Sequence, residues 1–220
     1  MNTEIARFNM IEQQIRPWEV LDQGVLSLLG SVRRENFLPA DKRALAFFDM
    51  QVPLPGGEYM LEPKVEARLL QELQLLRHER VLEIGTGSGF MAALLGHRAQ
   101  QVTTLECQPA LARMAGEALR RNGLGHVRVL EVDAAEGALG LPAEAPFDAI
   151  VLSGSVAEVP RALLEQLKVG GRLVAVVGQL PVMRARLFTR AGESAWSDVD
   201  LFDTVAPRLH GFAEPTRFHF

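Results

Sequence analysis

From Arg80 onward, short runs of Val, Leu and Ile alternate with helix-like stretches, and few folds accept that grammar. The pattern predicts strands at 81–84, 101–105, 127–132, 147–152 and 171–177, with helices at 90–98, 109–122 and 160–167. Near-continuous apolar strands are buried on both faces, so the sheet is expected to be parallel and covered by helices on each side. Residues 184–190 and 196–202 have no convincing helix between them and predict an antiparallel pair at the sheet edge. Charged side chains alternate there, as on a protected edge. The expected class is α/β: a doubly wound, Rossmann-like, mostly parallel sheet.

Residues 1–77 follow other rules. Ile5, Phe8, Ile11 and Ile15 recur at helical spacing until Arg16-Pro17 interrupts them. Asp22 is placed to cap a second helix with Val25, Leu28, Leu29 and Val32 on one face. Pro39, Pro53, Pro55, Gly56 and Gly57 mark a loop-rich segment. Pro63 then suits the first turn of a third helix carrying Val65, Leu69, Leu70 and Leu73. The expectation is one domain spanning 1–220, with a helical extension over 1–77 and the Rossmann-like core over 78–220.

Composition narrows the function. Hydrophobic residues make up 48% and charged residues 23% of the 220, which excludes wholesale disorder. A net charge of -4 argues against sequence-independent binding to nucleic acid or anionic membrane. The one cysteine cannot form an intramolecular disulfide, and no apolar run approaches the ~18 residues of a membrane span. Without an apolar signal segment in the first fifteen residues, a cytoplasmic protein is expected. The five histidines show no metal-ligand spacing, so no metal is expected. Ser88, Ser153 and Ser155 do not complete a nucleophile elbow.

The chemical signal is Glu83-Ile84-Gly85-Thr86-Gly87-Ser88-Gly89-Phe90 at the end of the first core strand. Glycines allow a tight turn and close approach to a ligand, and the following helix start offers free N–H groups. Dinucleotide sites favour G-x-G-x-x-G, whereas here the spacing is G-x-G-x-G and an acid precedes it. A carboxylate beside the loop repels a pyrophosphate but suits the ammonium of S-adenosylmethionine, which carries a sulfonium and no phosphate. The plainer alternative for Glu83 is a helix cap or an arginine partner. Glu106, ending the second core strand, is placed to accept ribose hydroxyls, with Cys107 as a cofactor-side wall. Asp133, ending the third, either accepts the adenine amino group beside the Ala134 backbone or caps a helix. The candidate cofactor-binding set is therefore Glu83, Gly85, Thr86, Gly87, Gly89, Glu106, Cys107, Asp133 and Ala134. No catalytic residue is assigned.

The layout resembles the protein-L-isoaspartate O-methyltransferase family from about Met10 to Val177. The similarity rests on Glu12-Gln13-Gln14-Ile15-Arg16, on Val32-Arg33-Arg34-Glu35-Asn36-Phe37-Leu38-Pro39, and on Asp49 before Pro53-Leu54-Pro55. It continues through the glycine loop, Ala145-Pro146-Phe147-Asp148-Ala149-Ile150 and the stretch from Gln166 to Val174. The resemblance implies methyl transfer from S-adenosylmethionine to isoaspartyl carboxylates of proteins or peptides. The family's G-Q-T-I-S-x-P segment reads Gly57-Glu58-Tyr59-Met60-Leu61-Glu62-Pro63 here, so Tyr59 replaces a threonine and Leu61 a serine. Leucine cannot hydrogen-bond. Gly-Asp-Gly becomes Val132-Asp133-Ala134, Thr-Ala-Ala becomes Ser153-Gly154-Ser155, and the ending from Val205 also departs. Three readings follow: a methyltransferase with an altered protein, peptide or small-molecule carboxylate acceptor; an isoaspartyl enzyme whose missing hydroxyl comes from Tyr59, Ser153 or Ser155; or a non-catalytic binder of S-adenosylmethionine. Oligomeric state is not legible.

Overall fold

The computed structural model describes residues 2–214. Its centre is a seven-stranded sheet built from β3 (Arg80–Ile84), β4 (Gln101–Glu106), β5 (Arg128–Glu131), β6 (Phe147–Val156), β7 (Leu167–Gln179), β8 (Val182–Arg190) and β9 (Trp196–Asp203). A separate two-stranded hairpin pairs β1 (Val52–Pro53) with β2 (Tyr59–Met60). The order across the large sheet is β5-β4-β3-β6-β7-β8-β9, parallel up to β7 and antiparallel beyond. The chain grows outward from β3 in one direction, then returns to its other side at β6. That reversal opens a crevice at the carboxyl ends of β3 and β6, where open α/β sheets bind ligands.

Helices cover both faces. The extension contributes α1 (Thr3–Met10), α2 (Gln23–Ser31) and α3 (Pro63–Leu73); the core adds α4 (Phe90–Arg98), α5 (Pro109–Arg121), α6 (Ala134–Ala138) and α7 (Arg161–Leu164). Strand periodicity divides the core in two. Val81, Val102, Ala149 and Val151 join a cluster shared with α2, α3 and α4, while Leu82, Ile84, Ile150 and Leu152 pack on the other face with Ala138 and Leu163. Arg172 of β7 ties the extension to the sheet: Nε donates to Leu73 O at 2.6 Å, and Nη1 and Nη2 meet the Glu79 carboxylate at 2.6 and 2.8 Å.

The first helix is α-helical only to Met10, then widens into a π-turn over Ile11–Ile15 and a 3-10 turn over Arg16–Trp18. Pro17 has no N–H to continue the ladder. The strand expected at 147–152 runs on to Val156 because Ser155 and Val156 pair with Val176 and Val177 of β7, and the tail adds a bridge at Ser155. The helix expected at 160–167 is confined to Arg161–Leu164, because Leu167 and its successors pair with β6 instead. The expected antiparallel edge is present, with Arg184 and Arg186 facing Asp198, Asp200 and Asp203 across the ladder.

Gly89 caps the start of α4, and its φ of +84° lies in the left-handed region. A Cβ there would sit 3.0 Å from Ala115 Cβ on α5. Gly89→Ala therefore meets both backbone strain and a crowded neighbour, and should lower stability by about 1–3 kcal/mol in chemical denaturation. An unchanged midpoint would show that the loop relaxes without penalty.

Candidate active site

Alternation along β3 explains why an acid is buried at the crevice. Val81 faces the extension side, so Glu83, two residues on, faces it too. Thr104 follows Val102 on β4, and Ser153 follows Val151 on β6, which brings all three polar side chains to one place. Ser153 Oγ donates to Glu83 Oε1 at 2.6 Å. Glu83 is wholly buried, and its Oε2 has no hydrogen-bond partner among the described residues. Burial pushes its carboxyl up to about 8, against the hydroxyls of Ser153 and Thr104, and the nearby Glu66 and Glu106 push the same way.

Past Ile84 the backbone turns through Gly85, Gly87 and Gly89, all at positive φ. Glu106 fixes this turn from β4: Oε2 accepts from Gly87 N at 2.8 Å and Oε1 from Gln108 N at 3.0 Å. The turn borders a cavity with about 600 Å³ of empty space, part of it open to solvent. Gly85, Gly87, Glu106, Cys107 and Ala134 line it. Glu83 and Thr86 open onto a smaller adjoining cavity of about 250 Å³, and Gly85, Gly87, Ser153 and Tyr59 border both. Gly89 borders neither and serves helix packing. Asp133 borders neither as well; its carboxylate accepts from Ala135 N at 2.9 Å and caps α6, the plainer of its two expected roles. Burial, with Glu106 beside it, raises the Cys107 thiol, which keeps it protonated and favours a wall over a nucleophile.

The divergent segment lies directly against this site. Leu61 is buried and borders the smaller cavity with Glu66 and Glu83. Its carbonyl accepts from Arg34 Nη2 at 2.5 Å, and Arg34 also pairs with Glu66, both being buried. Burial lifts Glu66 to about 7 despite that arginine. Ser155 is consumed structurally, since its Oγ donates to Ala206 O at 2.8 Å. Ser88 Oγ accepts from Phe90 N. Ser153 and Tyr59 carry the hydroxyls that border both cavities; those of Ser88 and Thr86, the latter bonded to Thr104, border the smaller one.

Sequence reasoning missed the fourth wall. Residues 207–210 fold back over the crevice, with Ser155 N donating to Pro207 O at 2.7 Å and Leu209 N donating to Ser155 O at 2.9 Å. Leu209 occupies the space that glycine leaves at 85 and 154, where added Cβ atoms would come within 2.6 and 2.8 Å of it. Across the mouth, Glu58 Oε1 accepts from His210 Nε2 and Gln108 Nε2, both at 2.7 Å. Only the paired small residues Gly85 and Gly154 hint at this in the sequence. Among the described residues, no group of three or more His, Cys, Asp or Glu is arranged to hold a metal, and no helix is long and apolar enough to cross a membrane.

An acid whose folded value is raised keeps its proton between about 4.5 and 8, while the unfolded chain loses it. Folding then takes up a proton, and stability falls as pH climbs through that window. Glu83→Gln should remove much of this slope and raise stability by on the order of 2 kcal/mol at pH 8.5. Thermal melts from pH 5 to 9 test it, and a slope identical to wild type would contradict a buried neutral Glu83.

Residues 6–200 match the profile of the protein-L-isoaspartate(D-aspartate) O-methyltransferase (PCMT) family. A protein-L-isoaspartate O-methyltransferase of Methanoculleus marisnigri is 41% identical over 172 residues, covering 78% of this chain and 77% of that one. Another, from Rhodopseudomonas palustris, is 42% identical over 196 residues and 88% of each chain. A Plasmodium falciparum structure assigned to the same activity, solved with S-adenosyl-L-homocysteine, superposes with a TM-score of 0.77 at 19% identity, covering 96% of this chain and 99% of that one, and supports the fold. With this similarity across most of its length, the chain belongs to the protein-L-isoaspartate(D-aspartate) O-methyltransferase family, enzymes that take their methyl group from S-adenosyl-L-methionine.

Proposed function

We propose that the crevice between β3 and β6 holds S-adenosyl-L-methionine against Glu83 and that a carboxylate of a protein or peptide is the methyl acceptor. The observation that carries this is Oε2 of Glu83, which has no partner among the described residues and belongs to an acid buried beside the glycine turn. A buried polar atom without a partner is costly, and the donor's ammonium supplies the partner in the charge sign required. A dinucleotide would bring phosphates to the same acid. Glu106 uses one lone pair of each oxygen on the loop and retains others for ribose hydroxyls. Cys107 and the Ala134 backbone form the wall toward the base.

When bound, the donor supplies an electrophilic methyl on a cationic sulfur. The protein's share is alignment and exclusion of water. Glu58, Tyr59 and His210 stand over the mouth and shield the site. A carboxylate acceptor ionises near pH 4 and needs no general base. The core cluster shared by the extension and the sheet supports one working domain over the whole chain.

Leu61 favours a second reading, in which the donor is bound but the acceptor is not an isoaspartyl residue. Incubating the protein with methyl-labelled donor and an isoaspartyl peptide separates the two. Base-labile methyl ester is the expected product; intact adenosylhomocysteine binding without ester would support the second reading. Donor binding has its own pH signature. Because Glu83 must lose its proton to face an ammonium, adenosylhomocysteine affinity should rise between pH 6 and 8, by up to about tenfold per unit, and then level off. Calorimetry in buffers of different ionisation heat should register proton release, and Glu83→Gln should abolish it. Proton-neutral binding by the wild type would remove Glu83 from the donor site.

A further inference from the structure

Beside the donor crevice lies a second, open groove of about 1230 Å³. Its walls are largely apolar: Leu180 after β7, Met183 of β8 and Val205 of the tail, with Tyr59 opposite. Leu180 and Val205 are exposed. Tyr59, Pro207 and Arg208 border both the groove and the crevice, so the two spaces meet at these side chains. Among the residues bordering either space, Arg208 is the sole Lys or Arg, amid Glu58, Glu106 and Glu214.

Arg208 is held in place from both ends. Its backbone forms a parallel bridge with Ser155 at the end of β6. Nη1 donates to Gly178 O at 3.0 Å, and Nε meets Glu214 at 2.8 Å. Among the described residues Nη2 makes no hydrogen bond, and 29% of the side chain remains exposed. A guanidinium so fixed offers its remaining donors in a planar fork that matches a carboxylate.

We infer that Arg208 determines acceptor specificity: it pairs with a carboxylate of a peptide lying in the groove and directs that carboxylate to the junction with the donor crevice. The inference rests on the carboxylate-acceptor reading above and adds to it a residue and a route. Leu180, Met183 and Val205 give the apolar side chains flanking that carboxylate a surface to cover, which a small free acid would leave bare. In an acidic protein, the lone cation at this junction supplies the charge complementarity. One carboxylate oxygen on Arg208 leaves the other free to react. Selection thus falls to the tail and not to segment 59–61, where Leu61 offers no polar atom from its side chain.

The test is equilibrium binding of a fluorescent isoaspartyl hexapeptide to the protein saturated with adenosylhomocysteine, compared with the same peptide amidated at that carboxyl. Wild type should prefer the carboxylate form by about tenfold or more, the scale of a charge-assisted pair. Arg208→Gln should erase the preference while leaving amide-peptide and adenosylhomocysteine affinities within about twofold, Arg208→Lys should restore part of it, and Glu214→Gln should keep it. Equal wild-type affinity for the two peptides, or binding of neither, overturns the inference. So does a parallel loss of adenosylhomocysteine binding in Arg208→Gln, which would make the arginine a tail anchor. Carboxylate-selective binding without ester formation would leave Arg208's role standing and reject the methyl-acceptor reading alone.

Discussion

A carboxylate withdrawn from water and given one hydroxyl in return is a poor bargain for a folded chain. Glu83 is such a group, with one oxygen on Ser153 and the other unmatched at the end of the central strand. Its position follows from strand periodicity, because any side chain two residues after Val81 must face the extension. The sheet reverses direction beside it, the glycine turn begins just after it, and Glu106 steadies that turn from the neighbouring strand. The unfavourable burial becomes useful once a cation arrives. Removing it would stabilise the empty protein and weaken the site it serves.

The extension gives Glu83 its dry surroundings. α3 lays Glu66 toward the acid, Leu61 just before it does the same, and Arg34 reaches in to neutralise Glu66 and to hold the Leu61 carbonyl. Arg172 fastens the end of α3 to β7 through Leu73 O and Glu79. Helical residues far from the glycine turn thereby decide the dielectric in which its carboxylate titrates. The same packing explains why a divergent acceptor segment can be accommodated: Leu61 fills its place as core and is anchored through its backbone.

Local grammar made the sheet legible. Gly89 before Phe90, Gly123 after α5 and the apolar runs of β3, β4 and β6 each carry a signal within a few residues. The antiparallel edge was readable because no helix separates 184–190 from 196–202; the arginine–aspartate pairing across it was not. What escaped was non-local. Nothing near Leu209 announces that it will fill the space at Gly85 and Gly154, and nothing near Ser155 announces that its hydroxyl is spent on Ala206. Asp133 shows the limit of position as evidence: a strand-end acid beside a helix start fits a ligand and a cap alike, and the cap it makes on α6 does not choose between them.

The folded-back tail also has a stability of its own. It docks through a short parallel bridge, the Glu58–His210 contact and the Leu209 side chain, and none of these belongs to the main ladders of the sheet. Such a segment can detach while the strands beneath stay paired. Exchange of the Leu209 amide, whose acceptor is Ser155 O, then reports how readily the tail lifts.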